Sequence, residues 1–164
     1  VKRHPLGHPL DAPPWRVRST PSNQLVGRFG KTRDGGAKLH AGIDWAAPLG
    51  QPVFAAHPGV VATIGWEVTA NGPHNAGYGQ RIVLRGDAGV ETRYAHLSYL
   101  VPYQAGMLVQ AGELLGHVGH SGNAEPGDEH LHFEVRISGK PVNPLWWLGY
   151  SGEVMDGMPD PRLV

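Results

Sequence analysis

The run His130-Leu131-His132-Phe133-Glu134-Val135-Arg136-Ile137 alternates polar and apolar residues at the period of a β-strand. Residues i and i+2 of a strand share a face, so His130, His132 and Glu134 project together while Leu131, Phe133 and Val135 point into a core. The two imidazoles stand roughly 7 Å apart along the backbone, so one can hold a metal ion while the other reaches whatever the ion binds. Taken alone, such a pair is equally two exposed histidines on a polar face. A second cluster, His40-Ala41-Gly42-Ile43-Asp44, adds an imidazole and a carboxylate, both good ligands for a borderline ion such as zinc. In a straight strand these two would lie roughly 13 Å apart, too far for ligands that each sit about 2 Å from one ion. The chain must therefore bend between them. Ala41-Gly42 permits the bend, because glycine reaches dihedrals closed to other residues, and the segment reads as a bent loop entering a strand.

His132, His40 and Asp44 together make a set of two imidazoles and one carboxylate, which leaves the fourth position of tetrahedral zinc open to water. An open position permits catalysis. A structural zinc site would be closed by four ligands, most often including cysteine, and the chain has no cysteine. His96, in Arg93-Tyr94-Ala95-His96-Leu97-Ser98, closes another alternating run at the far end of its strand, beside a loop, and could join His130 next to the metal. The alternative for His96 is an imidazole that bonds a neighbouring backbone group.

In their order and spacing, His40-x-x-x-Asp44, Tyr94-Ala95-His96-Leu97 and His130-Leu131-His132-Phe133-Glu134 resemble the lysostaphin-type, or LytM-like, zinc metallopeptidases that cut peptidoglycan peptides. The likeness runs from about Gly27 to Pro144. It takes in Gly27-Arg28-Phe29-Gly30 with Arg33, Gly50-Gln51-Pro52-Val53, Pro58-Gly59-Val60-Val61, Gly106 to Gly112 and Val142-Asn143-Pro144. The resemblance implies an all-β, mainly antiparallel, turn-rich domain with zinc on His40, Asp44 and His132. It also implies chemistry by His96 and His130, a peptidoglycan peptide as substrate, and action outside the cell, in the periplasm or at the cell wall. In that mechanism the metal activates a water and polarises the scissile carbonyl. One of His96 and His130 acts as general base and the other stabilises the oxyanion or protonates the leaving amine; the sequence does not assign which. Glu134 is placed to fix an imidazole from behind, or else is a solvated strand carboxylate. Spacing alone supports only a metal-assisted hydrolase.

The elements that must hold these residues fit one domain. The chain has 164 residues, enough for a single core, and its 24 Gly and 15 Pro punctuate alternating apolar runs in the manner of a turn-rich β domain. Residues 1–21 read as an extended arm or linker, 22–150 as the metallopeptidase domain and 151–164 as an irregular tail. Leu25 to Gly30 reads as a short strand or edge, with Arg33 in a loop leading to His40. Pro52 to Ala56 and Val60 to Val68 read as strands joined at His57-Pro58-Gly59. Gln80 to Arg85 and Val90 to His96 read as a hairpin across Gly86-Asp87-Ala88-Gly89. Met107 to Val109 and Glu113 to Val118 flank a compact turn at Gln110-Ala111-Gly112. Leu145-Trp146-Trp147-Leu148 is expected to cap the core.

Other candidates carry weaker roles. Arg28 or Arg33 could orient a substrate carboxylate, Asn23 could occupy the open metal position as in latent relatives, and the acidic loop from Gly122 to Glu129 could wall the cleft. His57 reads as a turn residue, His4, His8 and His74 as loop or arm residues, and His117 and His120 match no ligand or catalytic position. Equal numbers of basic and acidic residues, fourteen of each, leave no electrostatic footprint for nucleic acid. No apolar run approaches the roughly 20 residues of a membrane span, and a monomer is expected. The start at Val rather than Met reads as a trimmed or mature fragment, from which an export signal could have been lost. Two rivals keep the architecture without this reaction: a silent regulatory or wall-binding module, and a carbohydrate phosphotransfer domain, which has no need for Asp44.

Overall fold

The computed structural model describes residues 9, 27–68, 70 and 77–148. Its strands follow the alternation and turn signals of the sequence: β1 (Gly30–Arg33), β2 (Lys38–His40), β3 (Ile43–Ala46), β4 (Pro52–Phe54), β5 (Gly59–Trp66), β6 (Gln80–Arg85), β7 (Val90–Leu100), β8 (Leu108–Val109), β9 (Leu114–Val118), β10 (His130–Ile137) and β11 (Lys140–Val142). A short helix, α1 (Pro144–Trp147), follows, with the Asn143 side chain accepting from the Leu145 amide at 3.1 Å as an N-cap. Among the described residues no helix is long and apolar enough to cross a membrane.

The pairings are antiparallel throughout. β1 and β2 form a two-stranded ladder, and the main sheet runs β11-β10-β7-β6-β5-β8, with β3 also on β10 and β9 joining β7 to β4. The β6–β7 hairpin forms across the expected turn. Arg33 is not in a loop: it ends β1, paired with Lys38. Met107–Val109 and Glu113–Val118 flank the expected turn, where the Glu113 amide donates to the Gln110 carbonyl at 3.2 Å, but they do not pair with each other. β8 pairs with β5, and β9 with β4 and β7. The arm expected at 1–21 lies outside the described residues apart from Pro9, whose carbonyl accepts from the Phe54 amide at 2.8 Å. Residues 149–164 also lie outside them.

Cross-strand partners share a face of the sheet, so the register of β10 sorts its neighbours. Leu131 faces Trp45, Phe133 faces Ile43 and Tyr94, and Val135 faces Thr92. Leu131, Phe133, Val135, Ile43, Trp45 and Tyr94 are buried in one apolar cluster with Val53, Ile82, Leu84, Leu97 and Leu115. Leu145 and Leu148 close this cluster, and Trp146 and Trp147 pack against it, as the tail was expected to do. On the opposite face His132 stands across from Asp44 and Ala95, and Glu134 across from Arg93. That polar face is not solvated either: His132 is 5% exposed and Glu134 0%.

Candidate metal centre

The bend between β2 and β3 brings His40 back over Asp44, and the β3–β10 register sets His132 against both. The bend comes at Gly42, but the reason differs from the expected one. Its φ is outside the left-handed region, and what the position requires is space: a Cβ there would stand 2.3 Å from the Phe133 carbonyl oxygen and 2.9 Å from Glu134 Cγ. The chain therefore crosses directly against β10. A hydrogen bond of 2.8 Å from the Asp44 amide to the Gly27 carbonyl holds the start of β3 in place.

On each of the two imidazoles, the nitrogen turned toward the cluster is selected by a partner on the far side of the ring. His40 Nδ1 lies 2.6 Å from the Arg28 carbonyl oxygen, which can only accept, so Nδ1 carries the proton and Nε2 faces inward as a lone pair. His132 Nε2 lies 3.0 Å from Glu134 Oε1, so that nitrogen donates and Nδ1 is the free one. Burial works against the Glu134 carboxylate, but His132, Tyr78 and Arg136 outweigh it and hold its pKa down to about 2, so it accepts as an anion. Its second oxygen takes the Arg136 Nε–H at 2.8 Å. The sequence placed Glu134 on this face, and the structure puts it directly behind His132.

Three acceptor atoms then converge. His40 Nε2 is 3.1 Å from Asp44 Oδ1 and 3.2 Å from His132 Nδ1, and His132 Nδ1 is 2.7 Å from Asp44 Oδ1. Lone pairs this close repel one another unless a cation lies among them. The edge of a tetrahedron around zinc with bonds of about 2.0–2.1 Å is roughly 3.3–3.4 Å, close to the separations of 3.1 and 3.2 Å and longer than the 2.7 Å between His132 and Asp44. The residues thus fit a tetrahedral divalent ion. The same demand appears in the titration of His132. Burial opposes its charge, but the carboxylates of Asp44 and Glu134 raise its pKa to about 9, so a proton stands where a cation would. For Asp44, too, burial pushes upward, and the adjoining imidazoles, His132 foremost, hold the carboxyl well below its usual range. Among the described residues this is the group that converges in this way.

His96 and His130 lie beside this cluster. His130 Nδ1 donates to the Asp128 carbonyl at 2.7 Å, and its Nε2 stands 3.7 Å from Asp44 Oδ1. His96 Nδ1 donates to the Ser121 carbonyl at 2.8 Å. Its ring centroid is 4.8 Å from that of His130 and 5.8 Å from that of His132. Burial, reinforced by those two imidazoles, pushes the pKa of His96 down to about 3, so it is a neutral base with Nε2 available. His96 is not at the far end of its strand, because β7 continues to Leu100. Simple alternation would put it on the core face with Tyr94. Instead β7 is irregular here, switching from β10 at Ala95 to β9 at Leu97, and His96 has φ 61°. A left-handed non-glycine residue costs on the order of 1–3 kcal/mol and is found where surrounding contacts enforce it.

A cavity of ≈ 200 Å³ opens onto the site, lined by Gly77, Tyr78, His96, Asn123 and His132. Asn123 belongs to the loop expected to wall the cleft. Tyr78 had no role in the sequence reading. Its hydroxyl donates to Glu134 Oε1 at 2.5 Å, and its ring lies 5.5 Å from that of His132. His57 is buried far from the ligands and serves the fold. Nδ1–H donates to the Pro58 carbonyl at 2.8 Å and Nε2 accepts from Thr92 Oγ1 at 2.9 Å. His117 stacks on Tyr99 at 5.3 Å, away from the cluster. Arg28 contributes a carbonyl to His40. The Arg33 side chain, Asn23, His4, His8 and His74 lie outside the described residues.

Residues 38–144 match the family described as Peptidase family M23. A DD-carboxypeptidase/endopeptidase, Mpg, of Neisseria meningitidis serogroup B is 44% identical over 108 residues, which make up 66% of this chain and 22% of that protein. The chain thus spans about a fifth of the length of that curated relative, 22%. The catalytic domain of the prophage-encoded M23 protein EnpA of Enterococcus faecalis superposes with a TM-score of 0.63 at 28% identity, over 88% of this chain and 98% of that one. The catalytic domain of the antimicrobial peptidase lysostaphin of Staphylococcus simulans gives 0.59 at 27% identity, over 76% and 88%.

Proposed function

The chain belongs to peptidase family M23, and from that premise we propose that it is a zinc-dependent endopeptidase that hydrolyses peptide bonds in bacterial peptidoglycan. The observation that carries the proposal is the convergence of His40 Nε2, Asp44 Oδ1 and His132 Nδ1 within 2.7–3.2 Å of one another, with both imidazoles set by a partner behind them. Zinc held there would polarise a scissile carbonyl and lower the proton affinity of a water. The remaining steps fall to the chain. His96 and His130 lie beside the three, and both are held through Nδ1 to backbone carbonyls. One takes the proton of the attacking water and the other, once protonated, donates to the oxyanion or the leaving amine. Tyr78 and Asn123 border the cavity where the peptide enters.

The substrate class follows from the relatives, since the Neisseria protein is named as a DD-carboxypeptidase/endopeptidase. The chain is proposed to act as a monomer where peptidoglycan lies, in the periplasm or at the cell wall. The test is mass spectrometry of fragments released from purified peptidoglycan by the zinc-loaded chain, by the chelated chain and by His132→Ala. Zinc-dependent peptide fragments missing from the variant establish the activity and identify the bond. An equal release after chelation, or none from several wall types by a chain holding one zinc, overturns it.

A further inference from the structure

The loop carrying Ser121 touches His96 twice over, once directly and once through the strands that flank it. The Ser121 carbonyl accepts from His96 Nδ1 at 2.8 Å. Its hydroxyl donates to the Leu97 carbonyl at 2.7 Å and accepts from the Gln80 amide at 3.0 Å. Ser121 is thus tied to β7 at the residue following His96 and to β6 beside it. A second loop closes the arrangement: the His96 amide donates to the Tyr78 carbonyl at 2.9 Å, and the Asn123 amide to the Gly77 carbonyl at 3.0 Å. The two loops touch backbone to backbone. A Cβ on Gly79 would stand 2.4 Å from the Gly122 nitrogen, and one on Gly122 would stand 2.4 Å from the Gly79 nitrogen. Side chains are excluded from that contact, so hydrogen bonds must fix the register of the loops.

We infer that Ser121 is the positioning residue of His96, holding the left-handed β7 irregularity and the Nδ1–H tautomer that turn His96 Nε2 toward the cleft. The hydroxyl staples the loop, the staple places the carbonyl, and the carbonyl fixes which nitrogen carries the proton. Ser121 makes no contact with His40, Asp44 or His132 among the hydrogen bonds described above, so its effect is separable from metal binding. The kinetic part of this inference rests on the hydrolytic reading; the tautomer part does not.

The test compares the zinc-loaded full chain with Ser121→Ala and Ser121→Thr. Kinetics are measured on soluble cross-linked muropeptide dimers, zinc content on the same samples, and ring tautomers by two-bond proton–nitrogen NMR. Ser121→Ala is expected to lower kcat about 10- to 100-fold, the scale set by loss of reactive geometry, with KM within about twofold and zinc unchanged. The His96 signal is expected to move from Nδ1–H to a mixture of tautomers, and Ser121→Thr to restore both. Should Ser121→Ala not fold, Ser121→Cys, which keeps the volume and weakens both bonds, carries the same expectation. An unchanged kcat, a fall in kcat that accompanies zinc loss, or an unchanged tautomer overturns the inference. If the parent chain binds zinc and cleaves nothing, the functional reading fails, and the tautomer measurement alone decides the role of Ser121.

Discussion

Gly42→Ala tests the geometry on which the site depends. The new Cβ would lie 2.3 Å from the Phe133 carbonyl oxygen, about 1 Å inside ordinary nonbonded contact. Neither partner yields easily, since the oxygen is backbone in β10 and Gly42 sits between two short strands. The expected response is displacement of the β2–β3 bend from β10 by about 1 Å, at an overpacking cost of about 3 kcal/mol, the upper end of the usual range. A domain of ordinary stability survives that loss, with a fall in Tm of roughly 6–12 °C. The same displacement moves His40 and Asp44 away from His132 by a large fraction of a metal–ligand bond of about 2 Å. Zinc affinity, read by competition with a chromophoric chelator, is expected to fall at least about tenfold, an amount comparable with removing a ligand's supporting partner. Gly116→Ala is the control. Its Cβ would stand 2.2 Å from the Tyr99 carbonyl oxygen, in the β7–β9 pairing, so it should lower Tm without changing zinc affinity. A Gly42→Ala chain with parental zinc affinity, or a Gly116→Ala chain that loses zinc equally, would refute the argument.

Glu134→Gln keeps the shape behind His132 and removes the charge that fixes Nε2 as the donor; zinc affinity is expected to fall about 10- to 100-fold, and parental affinity in the chelator competition would count against that role. His57 gives the fold a pH dependence, because burial lowers its pKa below the ordinary 6.5 against the opposing bond to Pro58. Between the folded and unfolded values the unfolded chain binds more protons, so stability rises with pH in that window. The contribution is complete above about pH 6.5 and is lost as pH falls through the folded value. Urea unfolding of the chain and of His57→Gln between pH 8 and 5 measures it; an identical decline in both would show that His57 contributes nothing to the slope.

Much of the candidate site was legible because the residues proposed as ligands lie on regular elements. The alternation from His130 to Ile137 is a local signal, and it fixed both the strand and the two faces of β10. The need for a bend between His40 and Asp44 followed from distance alone. Its cause did not, because the atoms that forbid a side chain at Gly42 belong to Phe133 and Glu134, about ninety residues away by their numbers. His96 shows the same limit from the other direction. Its run has the period of a strand, and period alone assigns it to the core face with Tyr94; only the exchange of partners from β10 to β9 turns it to the cleft. Arg33 was misplaced because nothing local marks it as the end of β1; the turn between β8 and β9 was legible, but their pairing partners, β5 for one and β4 and β7 for the other, are chosen by the whole sheet. Tyr78 and Ser121 carry no local mark, since their functional contacts span 56 and 25 residues.

The arrangement also explains why one strand can serve both core and chemistry. Burying Leu131, Phe133 and Val135 completely contributes roughly 1.5–3 kcal/mol for each. The other face of β10 buries His130, His132 and Glu134, groups that destabilise a fold when left unpaired. Here Glu134 is satisfied by His132, Tyr78 and Arg136, and His130 by the Asp128 carbonyl. His40 Nε2, Asp44 Oδ1 and His132 Nδ1 meet within 2.7–3.2 Å of one another, an arrangement of donor atoms suited to a cation. The core face of β10 therefore supports a polar face that ends in this cluster. In this way the packing of the sheet and the affinity of the site are parts of one energetic problem.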